Sequence, residues 1–345
     1  MQLLDLIKNK HRTISVVGMA KNSGKTVTLN ELIDEAMDNN LRLGITSIGR
    51  DGEKQDIVTF TEKPLIYINQ GTIIATAEEL FKACEANLEI LEITDYNTSL
   101  GRVVIARGVS PGYVQIAGPC TNKDIKTVTD KMLSHGADIA IVDGALDRLS
   151  SASPSITEAT ILATGAVISR DMNKVIEKTA HQVNLFNIDE VHDEELKTIA
   201  REALKDKKIA IIDDEYGVKV INIKTALGCG KEIARELRKN SRYVIISGSL
   251  VTKTLKDIVT SNKLFRNVTF IIKDATKIFV DYRDWMYFER IGVKLKVMEK
   301  INILAVTINP YSPLGYYFSP QEFLDKMKKI LNPLPVLDIM MNEVY

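Results

Sequence analysis

The stretch SVVGMAKNSGKTVTL, residues 15–29, constrains the fold of this chain most strongly. An apolar run is followed by a loop that ends in Gly-Lys-Thr, and the next residues have apolar side chains at helical spacing. The pattern predicts a buried strand, a loop and a helix in direct succession. In this arrangement the loop amides and the positive end of the helix dipole converge, and a triphosphate can bind there. Lys25 would neutralise the β and γ phosphates, and the Thr26 hydroxyl would bind Mg²⁺.

The predicted nucleotide-binding residues lie in this loop and in the first turn of the helix: Gly18, Lys21, Asn22, Ser23, Gly24, Lys25, Thr26 and Val27. The strict pattern G-x-x-x-x-G-K-[ST] would place its first glycine where Met19 stands. Here the glycine comes one residue earlier, at Gly18, so the phosphate loop is a modified one. A chance Gly-Lys-Thr at a helix start is the alternative, and the preceding apolar strand argues against it.

A second candidate site residue is Asp143, at the end of the apolar run ADIAIVDGA, residues 137–145. The carboxyl end of a buried strand is where α/β sheets bind ligands. A carboxylate there orients Mg²⁺ directly or through water. We therefore predict Lys25 and Asp143 as catalytic residues, and Thr26 and Asp143 as metal ligands. The alternative is that Asp143-Gly144 only forms a turn.

Three further segments follow predicted strands. Asp51, in the stretch Ser47–Glu53, is predicted as a catalytic residue and a Mg²⁺ ligand, with a charged turn as the alternative. Residues 169–174 are a candidate contact for the base, by analogy with similar folds. The proline- and tyrosine-rich stretch NPYSPLGYYFSP, residues 309–320, suits partner contact or stacking and equally suits a packed surface loop.

Strand-like and helix-like stretches alternate along the chain, which predicts a P-loop NTPase-like, mostly parallel sheet with helices on both faces. A chain of 345 residues exceeds what a single core of about 250 residues accommodates. We predict a nucleotide-binding α/β domain over residues 1–190, with an insertion at about 53–100. A second, smaller α/β domain, with a possible partner-binding role, is predicted over residues 205–345. The elements expected outside the phosphate loop include strands at 101–108, 207–213 and 301–309, and helices at 27–40, 231–240 and 320–331. The stretches 157–165, 166–171 and 172–186 continue the alternation.

Composition argues against several classes of partner. Lys plus Arg and Asp plus Glu both number 45, so the net charge of zero gives no general attraction to nucleic acid or to an anionic membrane. No apolar run approaches the roughly 18 residues that span a bilayer. The first residues are too charged for a secretory signal, so we expect a cytoplasmic protein. The three cysteines and four histidines lack metal-ligand spacing.

Several of these stretches resemble a family of P-loop proteins encoded with bacterial lysine-fermentation enzymes. The resemblance is carried by VVGMAKNSGKTVTLN, GITSIGRDGE, LEITDYNTSLGRVVIAR, GYVQIAGP, IVDGALDRLSSASPSITEATILATGAVISRDMNKVIE and TINPYSPLGYYF. Its members are described as a subunit of a reactivase for the adenosylcobalamin-dependent lysine 5,6-aminomutase, working beside a MutS-like ATPase. The resemblance implies an ATP-binding, ATP-driven accessory protein with these two partners. The D-x-H-x-x-G motif for cobalamin binding does not occur.

Two other readings stay open at this point. The early glycine also resembles the loop of dethiobiotin synthetases and Mur ligases, which makes a small-molecule ligase or kinase the first alternative. A switch that binds nucleotide without hydrolysing it is the second. Because no NKxD-type guanine signature is evident, ATP with Mg²⁺ is the expected ligand.

Overall fold

The structure is a computed structural model that describes residues 2–48, 66–144, 149–221 and 228–340. The chain divides into two units, and the first is discontinuous: it comprises Met1–Thr179 together with Asn302–Tyr345. The second unit comprises Ala180–Ile301.

The elements up to the unit boundary are as follows. The strands are β1 (Thr13–Gly18), β2 (Leu43–Ser47), β3 (Ile66–Ile68), β4 (Ile73–Ala77), β5 (Leu88–Thr98), β6 (Gly101–Gly108), β7 (Gly112–Val114), β8 (Ile139–Asp143) and β9 (Ala159–Gly165). The helices are α1 (Lys25–Asp38), α2 (Glu78–Phe81), α3 (Asn122–Ser134) and α4 (Met172–Phe186), which spans the boundary.

The second unit contributes strands β10 (Ile209–Asp213), β11 (Val218–Ile221), β12 (Ser241–Ile245), β13 (Leu250–Val251), β14 (Thr269–Ile272), β15 (Ile278–Phe279) and β16 (Lys294–Val297). Its helices are α5 (Glu194–Lys205), α6 (Gly230–Glu236), α7 (Thr252–Ser261) and α8 (Tyr282–Arg290). The chain then returns to the first unit with β17 (Ile303–Asn309), β18 (Tyr311–Ser312), β19 (Tyr316–Tyr317), α9 (Pro320–Leu331) and β20 (Val336–Asp338).

A nine-stranded sheet organises the first unit, in the order β20-β17-β9-β1-β8-β2-β4-β6-β5. All pairings from β20 to β4 are parallel, whereas β6 and β5 add an antiparallel edge. Successive strand residues point to opposite faces of a sheet. On β8, Ile141 packs in one core cluster with Leu29 of α1, and Val142 packs in another with Ile125 of α3. Helices therefore cover both faces, and the predicted mostly parallel α/β architecture is confirmed.

The parallel pairing fixes where a site can form. In β1, Val16 is the register partner of Asp143 on β8, and Gly18 is the partner of Ala163 on β9. Because parallel strands end at the same edge, the segments that follow β1, β8, β9 and β17 meet there. This edge of a parallel sheet is the usual ligand-binding edge in open α/β folds.

Two predicted boundaries need correction. The expected second domain, 205–345, is wrong for residues 302–340, because β17 pairs with β9 and β20 pairs with β17 in the first unit's sheet. An apolar strand satisfies its hydrogen bonds on whichever sheet edge it reaches, and local pattern does not specify which one. The expected insertion at 53–100 also differs in its described part, because β4 pairs in parallel with β2 and β5 closes the edge of the same sheet.

The second unit has its own five-stranded sheet, in the order β11-β10-β12-β14-β16. Strands β12, β14 and β16 are parallel, and β10 and β11 are antiparallel. A separate core cluster, which includes Leu196, Ala210, Ile245 and Ile271, packs on this sheet. Across the described ranges of both units, no helix is long and apolar enough to cross a membrane.

The discontinuous first unit gives a testable prediction. We expect a chain that ends at Ile301 to lose the cooperative folding of the first unit, because β9 becomes an exposed edge once β17, β20 and α9 are removed. Residues 180–301 expressed alone should fold, since they retain their own core. Thermal melts followed by circular dichroism and amide NMR spectra of both fragments check this. A well-folded 1–301 fragment would contradict the division.

Candidate functional site

The phosphate loop runs from Gly18, the last residue of β1, to Lys25, the first residue of α1. Its left-handed backbone positions are Asn22, with φ of 63°, and Gly24, with φ of 97°. Met19 is not one of them, and its N–H donates to the carbonyl of Ala163 at 2.9 Å. The loop therefore needs no glycine at position 19, and this explains how it departs from the strict pattern.

Gly18 is required by a close approach. A Cβ on Gly18 would lie 2.7 Å from Ser23 Oγ, because the loop folds back on the end of β1. Ser23 is 1% exposed, and its hydroxyl has no hydrogen-bond partner within the described ranges. An unpaired buried hydroxyl costs about 1–3 kcal/mol. The loop thus buries a hydroxyl group to which a ligand could supply the missing hydrogen bond.

Among the described residues, no side chain caps the N-terminus of α1. Gly24 occupies the capping position, and the Thr28 N–H donates to its carbonyl at 2.9 Å. The preceding amides, including those of Lys25, Thr26 and Val27, therefore have no acceptor inside the helix. Free amides at the positive end of a helix dipole form an anion-binding site.

Lys25 and Asp143, which the sequence predicts as two residues of one nucleotide and Mg²⁺ site, are in contact. Lys25 Nζ lies 2.9 Å from Asp143 Oδ1 and also donates to the carbonyl of Gly144. Burial raises the pKa of the Asp143 carboxyl above its usual value, and the positive charge of Lys25 partly offsets that rise. The two parallel strands thus bring a lysine and a carboxylate together at the start of α1.

Gly144 follows Asp143 for a steric reason. A Cβ there would lie 2.5 Å from Ser151 Oγ and 2.9 Å from Val17 Cγ1. Gly144 is not one of the described glycines that have a positive backbone φ. Its N–H donates to the carbonyl of Val16 at 2.9 Å. The Asp143-Gly144 pair is therefore held against the end of β1. Position 144 requires a glycine because of this close packing, and a left-handed turn is not the reason.

Sequence reasoning missed two neighbours of the loop. A Cβ on Gly24 would lie 3.0 Å from Asn309 Cβ and 3.1 Å from Ile339 Cδ1. Both residues belong to the returning segment, and Asn309 ends an apolar strand just as Asp143 does. The position of Asn309 at the end of an apolar strand was the sequence signal that could have identified it as a neighbour of the loop. The Thr28 and Thr307 hydroxyls lie 2.8 Å apart and join α1 to β17.

Two segments whose roles the sequence left undecided, residues 169–174 and 309–320, also meet at the ligand-binding edge of the sheet. The guanidinium of Arg170 lies 5.3 Å from the centre of the Tyr316 ring, and the Tyr316 hydroxyl donates to the carbonyl of Ala166 at 2.8 Å. The segment after β9 and the tyrosine-rich stretch after β17 are therefore in direct contact. Of the other predicted binding residues, Lys21 and Asn22 are exposed, whereas Thr26 and Val27 are half-buried.

Some predictions lie beyond what the structure describes. Asp51, predicted as a catalytic residue and Mg²⁺ ligand, lies in the segment 49–65, outside the described residues, and those roles remain predictions. Within the described ranges, no group of three or more His, Cys, Asp or Glu residues could hold a metal ion.

Comparison with known proteins adds no assignment. A scan against protein-family models finds no match, and a search of curated proteins finds none that is significantly similar.

The Lys25–Asp143 contact gives a titration prediction. We expect the pKa of Asp143 to rise further in Lys25→Met, because the lysine charge favours the ionised carboxylate. Lys21→Met is the matched control, since it removes a different lysine of the loop from the one that contacts Asp143. Carbon-13 NMR of the Asp143 carboxyl across a pH series measures both. An unchanged or lower pKa in Lys25→Met would refute the pairing.

Proposed function

We propose that this chain binds ATP with Mg²⁺ at the phosphate loop, and that the first unit has a P-loop NTPase-type fold. The observation that carries the proposal is the uncapped N-terminus of α1 beside the Lys25–Asp143 contact. The adjacency of β1 and β8 supports it, because it sets a carboxylate next to the phosphate loop.

Each residue has a role in this proposal. The amides of Gly24, Lys25, Thr26 and Val27 would bind phosphate oxygens, and the buried Ser23 hydroxyl would gain a partner. Lys25 would exchange its contact with Asp143 for one with the β and γ phosphates. A bound Mg²⁺ would neutralise phosphate charge, with the Thr26 hydroxyl and Asp143 as its protein ligands. Phosphate oxygens and water complete such a coordination sphere, so no three-residue protein cluster is required.

The electrostatics of Asp143 support this exchange. Burial disfavours the ionised carboxylate, and the neighbouring Lys25 compensates for part of that cost. If Lys25 moves to a phosphate, a cation beside Asp143 replaces the lost compensation. Nucleotide and Mg²⁺ would therefore bind together more favourably than either alone.

The most specific function that the sequence supports is an ATP-driven accessory role in reactivating lysine 5,6-aminomutase, beside a MutS-like ATPase. Its support is the resemblance of the stretches quoted above, together with a second unit in which we find no catalytic motif. Differential affinity of ATP for two states of such a protein could drive remodelling of a partner. A cytoplasmic location belongs to this proposal.

A ligase or kinase of the dethiobiotin synthetase type is the second candidate. The observation that favours it is the early Gly18, which gives five residues before Gly24-Lys25-Thr26. A ligase should consume ATP only when a small carboxylate substrate is added. A remodelling protein should instead show ATP hydrolysis that the aminomutase or the MutS-like ATPase stimulates, and a pure switch should show neither.

Calorimetry tests the nucleotide site. We expect Lys25→Ala to abolish MgATP binding, because the charge that opposes the phosphates is lost. Lys126→Ala is the control, since it removes a lysine that pairs with Asp130 on the surface of α3. Unchanged MgATP affinity in Lys25→Ala would refute the proposal.

Ser23→Ala separates ligand binding from folding. We expect MgATP affinity to fall roughly fivefold, which corresponds to one hydrogen bond of about 1 kcal/mol. The free energy of unfolding without nucleotide should stay the same or rise, since the variant removes an unpaired buried hydroxyl. A structural serine would show the opposite pattern, with lower stability and unchanged affinity.

The partner assignment is tested by affinity capture from native extract with added ATP. Recovery of the aminomutase and the MutS-like ATPase is the expected outcome, with the Lys25→Ala chain as a matched bait. Capture of neither partner would overturn the reactivation role and leave the nucleotide site to be judged by calorimetry.

A further inference from the structure

A pair of exposed tyrosines lies in the hairpin that follows β17. Strands β18 and β19 form a short antiparallel hairpin in which Tyr311 and Tyr317 are register partners. Their ring centres are 6.2 Å apart with an interplanar angle of 37°. Tyr311 is 40% exposed and Tyr317 is 70% exposed. We call these two side chains the tyrosine pair.

The hairpin that carries the pair is anchored from its other side. The Tyr316 hydroxyl bonds the carbonyl of Ala166, and Phe318, 7% exposed, packs edge-to-face against Phe323 of α9 at 5.2 Å. The Asn309 side chain accepts from the Tyr311 N–H at 2.9 Å and fixes the turn into β18. The tyrosine pair is thus an exposed aromatic surface on a fixed support.

The hairpin also begins at the site. Asn309, two residues before Tyr311, is the residue that a Cβ on Gly24 would meet at 3.0 Å. Strand β17 lies two strands from β1, which corresponds to about 10 Å across the sheet. A nucleotide with its phosphates at the N-terminus of α1 can therefore extend along this edge toward the hairpin.

We propose that the tyrosine pair is the stacking platform for the base of the nucleotide whose phosphates occupy the phosphate loop. This inference depends on the proposed nucleotide binding and adds the position of the base. Aromatic rings stack on any nucleobase, because every base has a π face. Stacking on an aromatic ring does not distinguish purines by hydrogen bonds, so ATP and GTP should both be accepted at this subsite.

The experiment compares two probes, MgATP and inorganic tripolyphosphate with Mg²⁺, by calorimetry. Stacking on one aromatic ring is worth enough to change affinity about tenfold or more. We expect Tyr317→Ala and Tyr311→Ala to weaken MgATP by about that factor and to leave tripolyphosphate affinity unchanged. Tyr317→Phe keeps the ring and should retain the wild-type MgATP affinity. Tyr113→Ala is the matched control, since Tyr113 belongs to another exposed tyrosine pair with Tyr67.

The two proposals fail in different ways. If wild-type protein binds neither probe, the nucleotide site itself is refuted, and the base subsite with it. If wild-type protein binds both probes and a Tyr311→Ala/Tyr317→Ala double variant keeps full MgATP affinity, only the base subsite is refuted. An equal loss of both probes in the tyrosine variants would mean that the hairpin supports the fold of the loop, which also overturns the base subsite.

Discussion

The parallel pairing of β1 with β8 is the interaction on which the candidate site depends. It sets Asp143 level with Val16, two residues before the phosphate loop begins, and so within reach of Lys25. An antiparallel pairing would send the end of β8 to the opposite edge of the sheet. The neighbouring strands β9 and β17 run in the same direction, and their following segments therefore reach the same edge.

The site holds polar groups that the folded chain satisfies only in part. Ser23 carries a buried hydroxyl without a partner in the described part of the chain, and burial raises the pKa of the Asp143 carboxyl despite the contact with Lys25. Such groups reduce stability and are characteristic of binding sites, because a ligand can satisfy them. Gly18 and Gly144 permit the close packing that buries these groups, and neither needs a positive φ to do so.

The return of the chain to the first unit completes this edge of the sheet. Residues 302–340 supply β17 and β20, whose ends bring Asn309 and Ile339 against Gly24. The same segment carries the hairpin with the tyrosine pair. The second unit, Ala180–Ile301, is inserted in the chain between the two segments of the first unit.

The sequence by itself determined the local elements and the chemistry of the loop. Strand β6, Gly101–Gly108, and helix α9, Pro320–Leu331, have the predicted bounds, because side-chain periodicity and turn residues act over a few positions. The same local signals predicted Lys25 and Asp143 as residues of one nucleotide site. Only the tertiary structure decided that these two are in contact, that β17 joins the first sheet, and that Asn309 lies against Gly24. Those contacts join residues more than a hundred positions apart, and they depend on strand order, which local pattern does not encode.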